Sequence, residues 1–136
     1  MIRTYLDAGV LIDATRGKEP NRTRAQNILK DLTGRVFISS EYVKLETYPM
    51  PEFNGKRKQL AILNAFLACV TEWVPASDDL VRDALAIACL HGLKVLDSLH
   101  VASAIEANVD QFITTERNGS RIHSASAANP IHVSHV

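Results

Sequence analysis

The 136-residue sequence has no excess of either charge, because fifteen lysines and arginines balance fifteen aspartates and glutamates. No overall basic field draws in nucleic acid, so any nucleic-acid binding must use a local basic patch. The sequence also lacks an apolar run of membrane-spanning length and a charged N-terminal region followed by an apolar signal segment. We therefore expect a soluble cytoplasmic protein with no membrane partner.

Cysteine is scarce as well. The two cysteines, Cys69 and Cys89, have neither a disulfide nor a metal-binding spacing and lie within apolar helical patterns. This placement predicts buried thiols in a reducing compartment. Stability must then come from a hydrophobic core, and a chain of this length can bury about two-thirds of its unfolded surface as one domain. We predict a single domain over residues 1–136.

Short apolar runs alternate with amphipathic segments along the chain. Strands are predicted in the run before Asp7 and at residues 35–38, 71–74, 111–115 and 131–133. Helices are predicted at residues 21–32, from the capping hydroxyls of Ser39 and Ser40 to the prolines at 49 and 51, and at residues 56–70, 77–91 and 97–106. Parallel neighbouring strands need helical crossovers, so the alternation predicts a three-layer α/β/α fold with a largely parallel sheet of four to five strands.

Acidic residues follow several of these strands. Asp7 comes directly after the first strand, Glu46 lies on the helix after the second, Asp97 begins a helix, and Glu116 follows the fourth strand. Asp7 alone is equally well explained as the N-cap of the next helix. However, ligand sites in open α/β sheets lie beyond the carboxyl ends of the strands, so we expect these acids to meet at one edge.

Carboxylates that lie close together raise one another's pKa, and a divalent cation reverses that cost. A set of oxygen ligands, with no cysteine cluster and no histidines at metal-binding spacing, favours Mg²⁺ or Mn²⁺ over Zn²⁺. A cation held in this way is suited to phosphodiester hydrolysis. The pattern therefore predicts a metal-dependent hydrolase.

Residues 5–12, 39–46, 97–104 and 113–116 resemble, in order and separation, the motifs of the PIN-domain ribonucleases, in particular the VapC-like toxin branch. The resemblance implies a metal-dependent endoribonuclease whose site acids are Asp7, Glu46, Asp97 and Glu116, with Asp7, Asp97 and Glu116 as metal ligands. It also implies an RNA substrate, a homodimer and a small antitoxin protein that blocks the site.

The chain departs from the family pattern at three positions. Gly9 replaces a usual Ser or Asn, Glu116 replaces an Asp, and Asn118 stands where a further Asp is frequent. These changes keep open a second interpretation, a PIN-like module that has lost catalysis and binds RNA or a protein partner. Gly9 also argues against a haloacid-dehalogenase-type phosphatase, which needs an Asp there. A response-regulator receiver would need an acid pair before the end of the first strand and a lysine after the last strand. Neither feature is present in this sequence, which argues against that class.

Other polar residues neighbour the predicted site acids. Thr114 and Ser98 can orient the acids or a water molecule, although capping and turn bonding are the ordinary roles of such hydroxyls. Arg117 and Arg121 follow Glu116 closely and can hold a scissile phosphate; ion pairing at the surface explains them equally well.

Overall fold

The centre of the fold is a parallel β-sheet. In the part of the chain that the computed structural model describes, residues 1–115, 121–127 and 131–135, its strands are β1 (Ile2–Leu6), β2 (Arg35–Ser40), β3 (Val70–Val74), β4 (Gln111–Thr114) and β5 (His132–His135). They pair in the order β3-β2-β1-β4-β5, and every pairing is parallel. The central strand, β1, therefore delivers Asp7 between its two neighbours at the carboxyl edge.

Helices connect the strands and cover the sheet. The described ranges contain α1 (Ala8–Arg16), α2 (Asn21–Leu29), α3 (Glu41–Thr47), α4 (Pro49–Phe53), α5 (Arg57–Leu67), α6 (Asp78–His91), α7 (Val95–Glu106) and α8 (Arg121–Ala127). Ser77 caps α6, because the Leu80 amide donates to Ser77 Oγ at 3.0 Å. Gly92 ends this helix in the left-handed conformation, with φ of 68°, that glycine adopts without strain.

Two hydrophobic cores lie on opposite faces of the sheet, because alternate residues of a strand point to opposite sides. Tyr5 and Phe112 pack in one core with α6 and α7, whereas Leu6 and Ile113 pack in the other with α1, α2 and α5. Helices thus bury both faces of the sheet. The predicted three-layer α/β/α fold with a largely parallel sheet of four to five strands is confirmed.

Several element boundaries differ from those predicted. Helix α2 ends at Leu29 rather than at 32, and Leu32 is half exposed. Helix α3 ends at Thr47, before Pro49 as predicted, but Pro49 and Pro51 lie in a further short helix, α4, at whose start the missing amide hydrogen of Pro49 is not needed. The hydroxyls of Ser39 and Ser40 do not cap α3. Ser39 Oγ donates to the Leu6 carbonyl at 3.2 Å, and Ser40 Oγ forms a hydrogen bond with the buried hydroxyl of Tyr5.

The prediction of buried thiols is wrong. Cys69 is only partly buried, just beyond α5, and Cys89 is exposed on α6. Both lie in or just beyond a helix, but the buried stripe of each helix is narrower than its number of apolar residues suggests.

In the described ranges, no single helix is long and apolar enough to span a membrane. Helices α6 and α7 satisfy the length and composition only as a pair bent by 116°.

Candidate metal centre

Asp7 both caps a helix and lies at the carboxyl edge of the sheet. Its backbone is extended (φ −73°, ψ 153°), and its Oδ1 accepts a hydrogen bond from the Gly9 amide at 3.2 Å. Its Oδ2 accepts from Thr114 Oγ1, at the end of β4, at 2.9 Å. The side chain is 7% exposed. Each carboxylate oxygen therefore has one donor and retains a lone pair for another partner.

Glu46 and His100 complete a compact group with Asp7. Glu46 comes from α3, which follows β2, and His100 comes from α7, which packs on the sheet. One ligand atom from each of the three residues lies within 4.8 Å of the other two. Three separate segments thus bring two carboxylates and an imidazole together beside the end of β1.

A chain of hydrogen bonds runs from the core of the protein to Glu46. Ser40 Oγ and Tyr5 OH are 2.8 Å apart, Tyr5 OH and His100 Nδ1 are 2.8 Å apart, and His100 Nε2 lies 3.0 Å from Glu46 Oε2. Burial raises the pKa of Tyr5 far above its usual value, so this residue remains a phenol. His100 was not predicted as a site residue, because the histidines show no metal-binding spacing and the hydrogen-bond partners of His100 are distant in sequence.

Asp97 lies in the first turn of α7 and is partly buried. It is three residues before His100, a spacing that places the two on neighbouring parts of one helical face. The three-residue spacing from Asp97 is the feature of the sequence that could have identified His100 as a neighbour of the site. Among the described residues, the close group consists of Asp7, Glu46 and His100 and does not include Asp97. The side chain of Asp97 is nonetheless not without an interaction partner in the protein. The predicted residues Glu116 and Arg117, and the departure at Asn118, lie outside the described residues.

The space beside Gly9 is filled by the side chain of Thr115. A Cβ atom added to Gly9 would approach Thr115 Oγ1 more closely than the 3.0 Å that real contacts respect, with Thr115 Cβ and Cγ2 each at 3.5 Å. A hydroxyl from the end of β4 therefore occupies the volume that a serine at position 9 would need.

The two remaining predicted residues have other contacts. Ser98 is buried and donates from Oγ to the Val95 carbonyl at 2.6 Å, a bond within the first turn of α7. Arg121 is exposed at the start of α8 and donates from Nη1 to the Gly92 carbonyl at 3.1 Å. Arg121 is thereby attached to the connection between α6 and α7, just before the segment that carries Asp97.

The donor set fits a hard divalent cation. Two carboxylate groups face each other with unshared lone pairs, and among the described residues no lysine or arginine forms an ion pair with Asp7 or Glu46. Mg²⁺ and Mn²⁺ prefer oxygen ligands and commonly use only a few carboxylates. The residues present therefore suit such an ion and offer no cysteine that would favour Zn²⁺.

Comparison with known families shows to which family the chain belongs. The PIN domain matches residues 4–123, most of the chain, which is therefore a member of the PIN domain family. The resemblance to the PIN-domain family noted in the sequence is confirmed at the level of the family. Comparison with curated proteins gives no match.

Solved structures with a similar fold come from several bacteria. The VapBC2 complex of Rickettsia felis, bound to a DNA fragment from its promoter, is 14% identical, with a TM-score of 0.68 and coverage of 99% of both chains. VapC20 of Mycobacterium tuberculosis, a toxin that cleaves the sarcin–ricin loop, is 16% identical, with a TM-score of 0.68 over 95% of this chain and 98% of that chain. FitAcB from Neisseria gonorrhoeae is 18% identical, with a TM-score of 0.58 over 96% and 95%. At these identities the likeness concerns the fold.

Proposed function

We propose that this protein is a Mg²⁺- or Mn²⁺-dependent endoribonuclease that hydrolyses RNA phosphodiester bonds. The observation that carries the proposal is the meeting of Asp7 and Glu46, from two different crossovers, at the carboxyl edge of a PIN-domain sheet. Asp97, at the start of α7, and Glu116 complete the proposed acid set, with Asp7, Asp97 and Glu116 as the metal ligands. Two ionised carboxylates at such a distance are favourable when a cation bound by Asp7 lies beside Glu46, because the positive charge offsets their repulsion.

The chain's own residues hold the carboxylates in place. The Gly9 amide and Thr114 hydroxyl each bond one oxygen of Asp7, which fixes the plane of that carboxylate. His100 bonds one oxygen of Glu46 and leaves the other available. When bound, a divalent cation supplies Lewis acidity toward a phosphodiester and acidifies the attacking water. Arg117 and Arg121 are proposed to hold the phosphate backbone of the substrate by charge-assisted hydrogen bonds.

We further propose that the protein is the toxin of a toxin–antitoxin pair, that it acts in the cytoplasm as a homodimer, and that a small antitoxin protein blocks its site. Support comes from the sequence resemblance to the VapC-like branch and from the likeness in fold to the VapC20 toxin and to the VapBC2 complex. The zero net charge leaves RNA binding to a local patch near the site.

A second candidate is a PIN-domain module that binds RNA or a protein partner without cleaving RNA. Gly9, Glu116 and Asn118 favour it, since each departs from the usual family residue. The filled space beside Gly9 weakens this alternative, because Thr115 supplies a hydroxyl at that position.

A cleavage assay separates the two candidates. The wild-type protein and the variants Asp7→Asn and Asp97→Asn are incubated with a mixed RNA pool in Mn²⁺ or Mg²⁺, with and without EDTA. The proposal expects cleavage by the wild type that EDTA stops and Mn²⁺ restores, and at least a hundredfold loss in both variants with the fold intact. Glu106→Gln, at the far end of α7, is the matched control and should cleave normally. RNA binding that persists in EDTA without cleavage under any divalent-ion condition would favour the binding module.

A further inference from the structure

We propose that His100 is a positioning residue and not a metal ligand: its imidazole holds Glu46 toward Asp7, while Tyr5 and Ser40 hold the imidazole. This inference rests on the proposed metal-dependent function and specifies how the site keeps its geometry. The close group of Asp7, Glu46 and His100 permits either role for the histidine. The hydrogen-bond chain favours the positioning role.

The chain is rigid at its inner end and open at its outer end. Ser40 and Tyr5 have no exposed surface, and His100 is 1% exposed, whereas the Glu46 side chain is 20% exposed. Tyr5 also stacks on Phe112, with ring centroids 5.3 Å apart and planes inclined by 17°. A side chain packed in this way has little rotamer freedom, so the direction of the imidazole is set by the core. Only the Glu46 carboxylate reaches the site edge.

The direction of the hydrogen bonds follows from the chemistry of the groups. An ionised Glu46 can only accept, so His100 Nε2 must carry the hydrogen in the 3.0 Å contact. This holds whether the imidazole is neutral or charged, because both forms can carry a hydrogen on Nε2. A nitrogen that carries a hydrogen has no lone pair for a cation. The atom of His100 that faces the site is therefore a donor to Glu46.

The ligand role would require a different arrangement. If Nε2 bound a cation, it would lose its hydrogen and with it the hydrogen bond to Glu46 Oε2, so His100 would no longer hold that carboxylate directly. Tyr5 would then have to accept from Nδ1 and donate to Ser40. The 3.0 Å separation is the ordinary length of an N–H···O bond and fits the positioning role.

Three variants probe the hydrogen-bond chain without removing a site carboxylate. Tyr5→Phe removes one buried hydroxyl and keeps the ring that packs on Phe112. His100→Gln keeps an N–H that can reach Glu46 but gives up the bond to Tyr5, and His100→Leu gives up both bonds. Matched controls are Tyr48→Phe, a partly buried tyrosine outside the chain, and His91→Gln, a partly buried histidine at the end of α6. Thermal melting confirms that each protein is folded.

Mn²⁺ affinity is the first readout, measured by electron paramagnetic resonance of the free ion with full-length protein. We expect about a tenfold or greater loss in His100→Leu, a smaller loss of roughly two- to tenfold in Tyr5→Phe and in His100→Gln, which both lose the bond between positions 5 and 100, and near-normal affinity in both controls. Rescue by glutamine distinguishes a donor to Glu46 from a general packing role. Equal losses in His100→Gln and His100→Leu, or no loss in either, would overturn the proposal.

Pulsed resonance of bound Mn²⁺ is the second readout, because a coordinated imidazole couples its nitrogen to the ion. The proposal expects no such coupling from His100; a nitrogen signal that disappears in His100→Gln would show that it is a ligand. If wild-type protein binds Mn²⁺ no better than Asp7→Asn, the proposed metal function fails. Nitrogen NMR of the metal-free imidazole then tests the positioning chain separately: a hydrogen on Nε2 with a resonance that shifts in Tyr5→Phe supports it, and an Nδ1-only tautomer refutes it.

Discussion

Replacing Asp7 with asparagine should stabilise the metal-free protein and abolish its response to Mn²⁺. Asparagine matches aspartate in shape and caps helices about as well. In the observed geometry its oxygen can accept from the Gly9 amide, and its amide group can donate to Thr114 Oγ1. The substitution therefore removes a charge while keeping both hydrogen bonds.

The magnitude follows from the distance between Asp7 and Glu46. At 4.8 Å, the limit that the geometry sets, two unit charges repel by about 0.9 kcal/mol in water and by more at a partly buried site. We expect Asp7→Asn to raise the free energy of unfolding by about 1 kcal/mol, and the Tm by roughly 3–5 °C for a domain of this size. Mn²⁺ at a hundred times its dissociation constant stabilises the wild type by about 2.7 kcal/mol. The order of stability should therefore reverse when Mn²⁺ is added.

Thermal melting and urea unfolding of both proteins, in EDTA and in a series of Mn²⁺ concentrations, test this reversal. Asp78→Asn, in the first turn of α6, is the control, since it removes an acid that favours a helix N-terminus and lies outside the site. The control should be slightly less stable than the wild type and should keep the full Mn²⁺ response. The reasoning is refuted if Asp7→Asn is less stable than the wild type in EDTA, or if Mn²⁺ stabilises it as much as the wild type.

Two further predictions concern the threonines at the end of β4. Thr114→Val removes the hydroxyl that donates to Asp7 Oδ2, so we expect about a tenfold weaker Mn²⁺ affinity by calorimetry. The control Thr15→Val loses a hydroxyl bonded to the Leu11 carbonyl and should leave the Mn²⁺ affinity unchanged. Equal effects of the two substitutions would contradict a role of Thr114 in holding Asp7. Gly9→Ala should gain up to about 1 kcal/mol of helix propensity and lose a similar amount by displacing Thr115 Oγ1. Gly9→Ala alone should therefore leave the free energy of unfolding nearly unchanged, and in a Thr115→Ala background it should raise that free energy by about 1 kcal/mol. Additive effects of the two substitutions in urea unfolding would show that the two positions do not interact.

The fold was predictable because its local patterns and its topology agree. Apolar strands alternating with amphipathic helices admit few arrangements other than a parallel sheet covered on both faces. Details set by tertiary contacts were not predictable. Ser40 reads as a helix cap from its sequence neighbours, but in the fold its hydroxyl reaches Tyr5 on the adjacent strand. Leu32 continues a helical stripe in the sequence, yet α2 ends before it.

The candidate site was predictable in part for the same reason. Asp7 follows the central strand, and a parallel sheet carries such a residue to the edge where sites form. Glu46 reaches that edge because α3 directly follows the neighbouring strand. His100 could not be identified by ligand spacing, because its partners, Tyr5 and Glu46, are 95 and 54 residues away. Its role depends on a buried hydrogen-bond chain that exists only in the folded protein.

Anomalous diffraction from a crystal of the full-length protein soaked in Mn²⁺ would locate the proposed metal site directly. We expect an anomalous peak at the carboxyl edge of the sheet, bound by oxygens of Asp7 and at least one further acid of the proposed set, with His100 Nε2 still bonded to Glu46. The peak should be absent in Asp7→Asn. A wild-type crystal with no Mn²⁺ at this edge, or with the ion bound elsewhere while RNA cleavage proceeds, would contradict the account.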